Sequence, residues 1–388
     1  MVAVLVYLMG CGQSSSVDTG GAPEGAWNTV ALPPGFQSGD LVATDRTLIR
    51  VGGSDPGSEP DVETRRRSVL LVDLETGESS EVDAWSVEGA AVEPVDGASL
   101  DGDRLVVIGR TCTSTAVDGS CQPGDRSSAV LDLRSRSWTV LQLPPGADGP
   151  FDGMDRLLDA PLGEEPVAVL GIGEGRHVRS LVLVGDRWDE VGPAVEGTTS
   201  MCRSGGAVHA LHVGSGGPAA SDPAVPTEVW VESLRLDGGE PVRANAPAAV
   251  SGRFGGAGVH LACGSGDVYL ASANPAIGEA PAEPLAIWRL DGEGWSPLAE
   301  GVPSGLAAAS LLGGPRGVVV DAVRVDVEPI GRAREAYALT GDTAVAVGDL
   351  GELSSSVWLG ETGDLIRITP DEDRYGTSFT GQRLEVIS

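Results

Sequence analysis

Residues 128–141, SAVLDLRSRSWTVL, consist of an apolar run, a polar turn and a second run that carries a tryptophan. The turns of this stretch and of its relatives are rich in Gly, Asp, Ser and Thr, which are typical of β-hairpin turns. Related strand–turn–strand patterns recur along the chain at 68–77, 181–188, 234–239, 287–295 and 357–365. The pattern predicts an all-β chain built from repeated antiparallel hairpins.

A second kind of hairpin lies between these copies, at 100–108, 263–270, 312–320 and 339–347. Two alternating hairpins make a four-stranded unit. The turns of the first hairpin type lie at Asp73, Asp132, Gly185, Asp237 and Asp291. Successive turns are 59, 53, 52 and 54 residues apart. These spacings are close to the roughly 50 residues of a kelch-type propeller blade.

On these hairpins the chain resembles kelch and galactose-oxidase-like β-propellers over residues 25–388. The resemblance includes Gly-Gly doublets at 52–53, 205–206 and 313–314 and a tryptophan that recurs at Trp138, Trp188 and Trp295. It implies a β-propeller of four-stranded antiparallel blades. Seven blades are favoured and six are possible, because residues 305–370 could hold two blades or one irregular blade. Two stacked β-sandwich domains are the alternative fold.

Both ends of the chain carry patterns that predict closure of a ring. Residues 27–35, WNTVALPPG, resemble 138–146, WTVLQLPPG, which follow a turn in the first hairpin type. The domain therefore begins with the outer strand of a blade, before any inner strand. Completing one blade from both termini removes an exposed sheet edge, and the run at 383–387 is expected to contribute to it.

The N-terminal residues predict export and lipid attachment. An apolar run at 2–9 is too short to cross a bilayer but fits the core of a signal peptide. Residues 8–11, LMGC, resemble the lipobox of bacterial lipoproteins, although no positively charged segment precedes the run. We therefore expect a signal peptide at 1–10, acylation of Cys11, a polar tether at 11–24, and an extracytoplasmic protein anchored to the bacterial cell membrane.

Five cysteines are an odd number, and a lipid on Cys11 would leave four that can form two disulfides in an exported protein. Cys112 and Cys121 flank a polar segment with an Asp-Gly turn, which predicts a stapled hairpin. Cys202 and Cys263 then form the second pair. A structural zinc site is disfavoured, because no Cys-x-x-Cys pattern or nearby Cys/His cluster occurs.

The net charge of −30, with arginine as the only long basic residue, disfavours nucleic acid as a partner. No enzyme motif is evident. His209 and His212 lie three residues apart on a predicted strand and thus on opposite faces, so they are not expected to share a metal. Glu335 and Tyr337 are expected to share a face, and the Gly264–Gly266 segment reads as a hairpin turn. The recurring tryptophans are expected to pack between blades.

Two functions remain open. We expect a monomeric binding or scaffold module for a protein or glycan, with no cofactor and no metal, because propeller loops converge around a central channel. The alternative is a glycan-acting hydrolase or lyase of propeller type. A cluster of Asp, Glu, Arg and Tyr at the channel mouth would favour the enzyme, and a channel lined by Gly, Ala and Val would favour the binding module.

Overall fold

The computed structural model describes most of the body of the protein. The secondary-structure elements in the described residues are β-strands. The described ranges are 28–33, 40–44, 46–52, 68–99, 103–115, 121–149, 156–158, 169–174, 177–192, 195–196, 198–214, 228–248, 250, 259–272, 285–292, 294–298, 301–303, 305–314, 316–324, 334–351, 356–359, 365–370 and 379–384. Cys11, the predicted signal peptide and the predicted tether lie outside these ranges.

The first three antiparallel sheets, which we call blades 1 to 3, follow β1 (Asn28–Ala31) along the chain. Blade 1 contains β2 (Asp40–Ala43), β3 (Thr47–Val51), β4 (Ser68–Asp73) and β5 (Ser79–Asp83). Blade 2 contains β6 (Ser86–Val87), β7 (Ala90–Ser99), β8 (Arg104–Thr115), β9 (Cys121–Asp132) and β10 (Ser137–Leu141). Blade 3 contains β11 (Arg156–Leu158), β12 (Val169–Glu174), β13 (His177–Val184), β14 (Arg187–Glu190) and the short β15 (Val195–Glu196).

Blades 4 to 7 complete the chain. Blade 4 contains β16 (Thr198–Ser204), β17 (Ala207–Val213), β18 (Val229–Arg235) and β19 (Val242–Asn245). Blade 5 contains β20 (Val259–Gly264), β21 (Asp267–Ser272), β22 (Ala286–Asp291) and β23 (Gly294–Pro297). Blade 6 contains β24 (Leu306–Gly314), β25 (Gly317–Arg324), β26 (Arg334–Thr340) and β27 (Thr343–Gly351). Blade 7 contains β28 (Ser356–Leu359), β29 (Leu365–Pro370), β30 (Phe379–Leu384) and, at its outer edge, β1.

The seven sheets form a closed ring. The innermost strand of each blade contacts the innermost strand of the next, in the order β2, β7, β11, β16, β20, β24, β28 and back to β2. This closure defines a β-propeller and excludes two stacked sandwiches. Residues 305–370 contribute two separate sheets, blade 6 and the inner part of blade 7, so the described strands form the seven units that the sequence favoured.

The ring closes through its two ends, as the sequence predicted. β1 pairs antiparallel with β30, with Asn28 opposite Arg383 and Ala31 opposite Thr380. The C-terminal strand spans Phe379–Leu384 and overlaps the predicted run at 383–387, of which 385–387 lie outside the described residues. Main-chain hydrogen bonds between the first and last described strands therefore hold blade 7 together and leave its β30 edge covered.

Seven apolar clusters fill the interfaces between neighbouring blades. The cluster between blades 1 and 2, for example, joins Ile49 and Val69 to Leu105 and Leu131, all of which are buried. The other six clusters lie at the remaining six interfaces. Strands covered on both faces explain the near-continuous apolar runs of the sequence, since each blade packs against a neighbour on either side.

The recurring tryptophans pack between blades, as predicted. Trp138, Trp188 and Trp295 all lie on outermost strands and contact the apolar cluster shared with the preceding blade. The Trp138 ring lies 4.8 Å from that of Trp85, and its indole N–H donates to the Asp83 carbonyl oxygen at 2.7 Å. These tryptophans stabilise the outer rim of the ring and are not arranged as a ligand cage.

Two of the Gly-Gly doublets allow close approach of neighbouring blades. A Cβ added to Gly52 would lie 2.6 Å from the Pro94 carbonyl oxygen, and one added to Gly313 would lie 2.5 Å from that of Cys263. No side chain fits in these positions without movement of backbone. The doublet at Gly205 differs, because it forms a turn with no atom within 4 Å of an added Cβ.

Candidate functional site

The two ends of the ring differ in their connections. Tight turns join the first to the second strand and the third to the fourth strand of most blades at one end, which we call the lower end. The innermost strands begin at the opposite, upper end. The second strand of a blade ends and the third begins at this same upper end, as at Val213 and Val229 or at Ser272 and Ala286. Because the second and third strands of each blade, and successive blades, are connected at this end, the upper end is the candidate functional site.

Repeated turns with an aspartate occupy the lower end. The Asp73 carboxylate accepts hydrogen bonds from the backbone N–H groups of Glu75 and Thr76 at 2.9 and 2.7 Å, and these donors lower its pKa. The Asp132 carboxylate makes the same contacts with Arg134 and Ser135, and its pKa is lowered too. These carboxylates therefore stabilise the hairpin turns that the sequence predicted.

The interface of blades 6 and 7 contains a buried ionic group near the upper end. The Arg334 guanidinium donates two hydrogen bonds to the Asp321 carboxylate, one of them from Nε to Oδ1 at 3.0 Å. Ser310, on the innermost strand, donates to the same carboxylate at 3.4 Å. Burial lowers the pKa of the neighbouring Arg367, while the negative charge of Asp349 opposes that shift. Opposite charges therefore neutralise one another inside this interface.

The interface of blades 5 and 6 contains a Tyr–Glu–Arg set at the same end. The Tyr337 hydroxyl donates to Glu335, which also accepts from Arg324 at 3.2 Å. Burial and the Glu335 carboxylate raise the pKa of Tyr337. A tyrosine that acts as a base needs a pKa lowered towards the working pH, so this set is arranged as a structural tie. Glu335 and Tyr337 share a face, as predicted.

The interface of blades 2 and 3 contains a further buried ion pair. Arg110 Nε donates to Glu93 on the innermost strand at 2.7 Å, and the Glu93 side chain is 3% exposed. Arg126, opposite Arg110 in the register, donates to the Ala147 carbonyl oxygen at 3.5 Å. Both arginines at this interface therefore donate to acceptors of the protein itself, Arg110 to a carboxylate and Arg126 to a main-chain oxygen.

A hydroxyl, an imidazole and a carboxylate lie in series at the interface of blades 3 and 4. His212 Nδ1 lies 3.1 Å from Thr198 Oγ1, and His212 Nε2 lies 3.6 Å from Glu232 Oε2. The imidazole is fully buried and stacks on Trp230 at 5.2 Å between ring centroids. The Arg243 guanidinium covers the same indole at 4.4 Å.

The histidines are placed as the sequence predicted. His209 contacts Ser233 at 2.8 Å and the Ser204 carbonyl oxygen, and burial lowers its pKa. His209 and His212 therefore have different partners. Over the ranges that the structure describes, no group of three or more His, Cys, Asp or Glu residues could hold a metal ion. The Gly264–Gly266 segment forms the β20–β21 turn, with positive φ at Ser265 and Gly266.

The second predicted disulfide is confirmed. Cys202 and Cys263 are bonded, with a Cα–Cα distance of 5.6 Å, and join the innermost strands of blades 4 and 5. Cys112 is also disulfide-bonded. The side chain of Cys121 lies outside the described residues, so the pairing of Cys112 with Cys121 stays a prediction. Thr115 and Cys121 are opposite one another at the end of the β8–β9 hairpin.

The buried ionic groups are the features that the sequence did not predict. Their only signal is a single charge within an apolar run, as for Asp321 in 318–323, VVVDAV, and Arg367 in 365–368, LIRI. A charge between two strand faces that are both buried needs a partner from elsewhere. That partner follows from the register and could not be read from the run itself.

No protein-family model matches the chain, and no curated protein sequence matches it. Among solved structures, the β-propeller domain of the trilobed protease from Pyrococcus furiosus superposes with a TM-score of 0.53 at 8% identity, covering 92% of this chain and 95% of that one. Its reported topology is open, whereas β1 and β30 pair here.

Two polysaccharide lyases also superpose. A family PL25 ulvan lyase, solved with a bound GlcA–Rha3S segment, gives a TM-score of 0.47 at 12% identity over 93% of this chain and 94% of that one. The lyase Uly1 gives 0.49 at 10% identity over 98% and 94%. The protease domain supports the propeller fold alone, and the likeness to the lyases supports no argument about activity.

Within the described ranges, no helix is long and apolar enough to cross a membrane.

Proposed function

We propose that the protein is an exported, lipid-anchored propeller that binds a glycan or protein ligand at the upper end of the ring. The observation that carries this proposal is the pairing of charged groups that face the interfaces between blades. Asp321 with Arg334, Glu335 with Arg324 and Glu93 with Arg110 each form an acid–base contact at an interface. Groups used in this way hold a rigid frame, which suits recognition by the loops that it carries.

Two properties support binding over catalysis. The raised pKa of Tyr337 makes its hydroxyl a poor base. The innermost strands also contribute many small residues, such as those of 306–314, LAAASLLGG. The Cys202–Cys263 bond between two innermost strands is compatible with an extracytoplasmic location.

Two matched arginines test the location of the binding site. Arg324 lies at the upper end, 3.2 Å from Glu335, and Arg289 lies at the lower end of the same interface, 3.1 Å from Asp342. Their side chains are 25% and 27% exposed. The full chain with Cys11→Ser would first be screened against neutral and acidic polysaccharides on a glycan array and against surface proteins of the same organism.

Binding that Arg324→Ala weakens and Arg289→Ala retains would support the upper end. Equal effects of the two substitutions, or binding lost only with Arg289→Ala, would contradict it. The anchor is tested separately by incorporation of a clickable fatty acid, which should disappear on Cys11→Ala. Equal incorporation in the two proteins would remove the anchor from the proposal.

A second candidate function is a glycan-acting hydrolase or lyase, which His260 favours. This residue lies near the start of β20, an innermost strand, and burial lowers its pKa. The imidazole is therefore neutral at neutral pH and able to accept a proton. Release of reducing ends from a polysaccharide, lost on His260→Ala, would establish this activity, whereas ligand binding without turnover would exclude it for that ligand.

A further inference from the structure

We propose that Thr198, His212 and Glu232 form a nucleophilic relay that cleaves carboxylic esters at the upper end of the ring. This inference goes beyond the proposed binding function and does not depend on it. It begins from a serial contact of hydroxyl, imidazole and carboxylate, which is the arrangement that activates a hydroxyl in hydrolytic enzymes on unrelated folds.

The strand register brings these residues together. Thr198 is opposite His212 on neighbouring strands, and Ala210 is opposite Glu232 on the next pair. His212 and Ala210 are two residues apart and share a face, so Glu232 lies diagonally across from His212. The contacts of 3.1 and 3.6 Å therefore follow from three adjacent strands of one blade.

The charges define the direction of proton transfer. An ionised Glu232 carboxylate can only accept a proton, so it favours the imidazole tautomer with hydrogen on Nε2. The Nδ1 lone pair then faces Thr198 and can accept the proton of its hydroxyl. The distance of 3.6 Å to Glu232 is an ion-pair contact, longer than a hydrogen bond, and it stabilises the protonated imidazole electrostatically.

The surroundings hold the imidazole in place, and the residue that carries the hydroxyl is less buried than the imidazole. His212 is fully buried and stacked on Trp230, whose ring also contacts Arg243, so the imidazole plane is fixed. Thr198 is only partly buried and is the first residue of the innermost strand. A nucleophile held at the upper end by a buried base is the geometry that an ester from solvent requires.

The proposed ester hydrolysis uses only Thr198, His212 and water. Thr198 Oγ1 forms a bond to the ester carbonyl carbon while its proton moves to His212 Nδ1. The bond to the alkoxide breaks, and the alcohol leaves with that proton. Water then attacks the acyl-threonine, its proton passes through His212 to Thr198 Oγ1, and the carboxylic acid is released.

The test uses the purified full chain with Cys11→Ser and a fluorophosphonate probe, which bonds to activated hydroxyls with loss of fluoride. We expect labelling on the peptide that contains Thr198. Thr198→Ala should abolish it, and Thr198→Ser should keep it, since the smaller alcohol presents the same oxygen. Thr111→Ala is the matched control, because Thr111 lies on blade 2, whereas His212 lies on blade 4, and the Thr111 hydroxyl donates to the Asp125 carbonyl oxygen.

Two further variants separate the relay from a structural role. His212→Asn should slow labelling about 100-fold or more. Glu232→Gln should move the midpoint of the pH–rate profile to lower pH, because the carboxylate no longer favours the protonated imidazole. Circular dichroism and melting temperature confirm that each variant is folded.

Absence of labelling in the wild-type chain, or equal labelling of wild type and Thr198→Ala, would overturn the relay. A His212→Asn variant that is folded and labels at the wild-type rate would also overturn it. None of these results bears on ligand binding, which the Arg324 and Arg289 variants measure independently.

Discussion

The ion pair of Asp321 and Arg334 gives the sharpest prediction about the frame of the ring. Both side chains are almost fully buried, at 3% exposure for Asp321 and 5% for Arg334, and two hydrogen bonds join them. Arg334→Met keeps much of the length of the side chain and removes its charge. The Asp321 carboxylate then stays buried without its cation, which costs about 3–5 kcal/mol of folding free energy.

An exposed pair of the same chemistry is the control. Arg235 and Asp237 also make a guanidinium–carboxylate contact, but their side chains are 59% and 61% exposed. Water already solvates both charges in this pair, so Arg235→Met should leave the stability unchanged within error. The two substitutions differ in burial and not in the groups removed.

The double variant Asp321→Val/Arg334→Met separates the pair from its parts. Without the carboxylate, no uncompensated charge remains, and two apolar side chains fit between apolar neighbours such as Val319 and Ala336. We expect the double variant to be more stable than Arg334→Met alone, with a strongly non-additive cycle.

Urea unfolding followed by tryptophan fluorescence measures these differences as shifts in midpoint at constant slope. A loss below about 1 kcal/mol for Arg334→Met, or additive effects in the cycle, would refute the reasoning. Either result would mean that water solvates Asp321, and the interface of blades 6 and 7 would then be open to solvent rather than sealed.

Three further predictions concern the ring and its turns. Gly301→Ala should lower the melting temperature far more than Gly292→Ala. Both glycines have positive φ, but only at Gly301 would the new Cβ lie 1.9 Å from a backbone oxygen. Replacing both Cys202 and Cys263 by serine should cost about 4 kcal/mol in the same assay, from the 61-residue separation, and an unchanged midpoint would contradict the entropic argument. The lowered pKa of Asp73 contributes stability above its unfolded pKa of about 3.9 that is lost as the pH falls, so Asp73→Asn should show a shallower acid transition in a pH titration of stability.

Particular residues show how far the sequence could go towards the candidate site. The cysteine count predicted the Cys202–Cys263 bond, because few pairings were open. The pattern could not predict that Arg334 neutralises Asp321 or that Thr198 meets His212, since both contacts depend on the register of paired strands, which for Thr198 includes an irregularity before Ser200. The function of the upper end is a proposal for the same reason.

The sequence alone determined the all-β class and the hairpin turns, because turn residues and apolar runs are local signals. It also predicted the closure of blade 7 by both ends, because residues 27–35 repeat the outer-strand pattern of 138–146. The tertiary structure decided that there are seven sheets, since separating β24–β27 from β28–β30 depends on which strands pair. It also decided where the buried charges go. A charge on a strand that is buried on both faces needs a partner, and the pairing register of neighbouring strands within a blade brings that partner within reach, as Arg334 on β26 reaches Asp321 on β25.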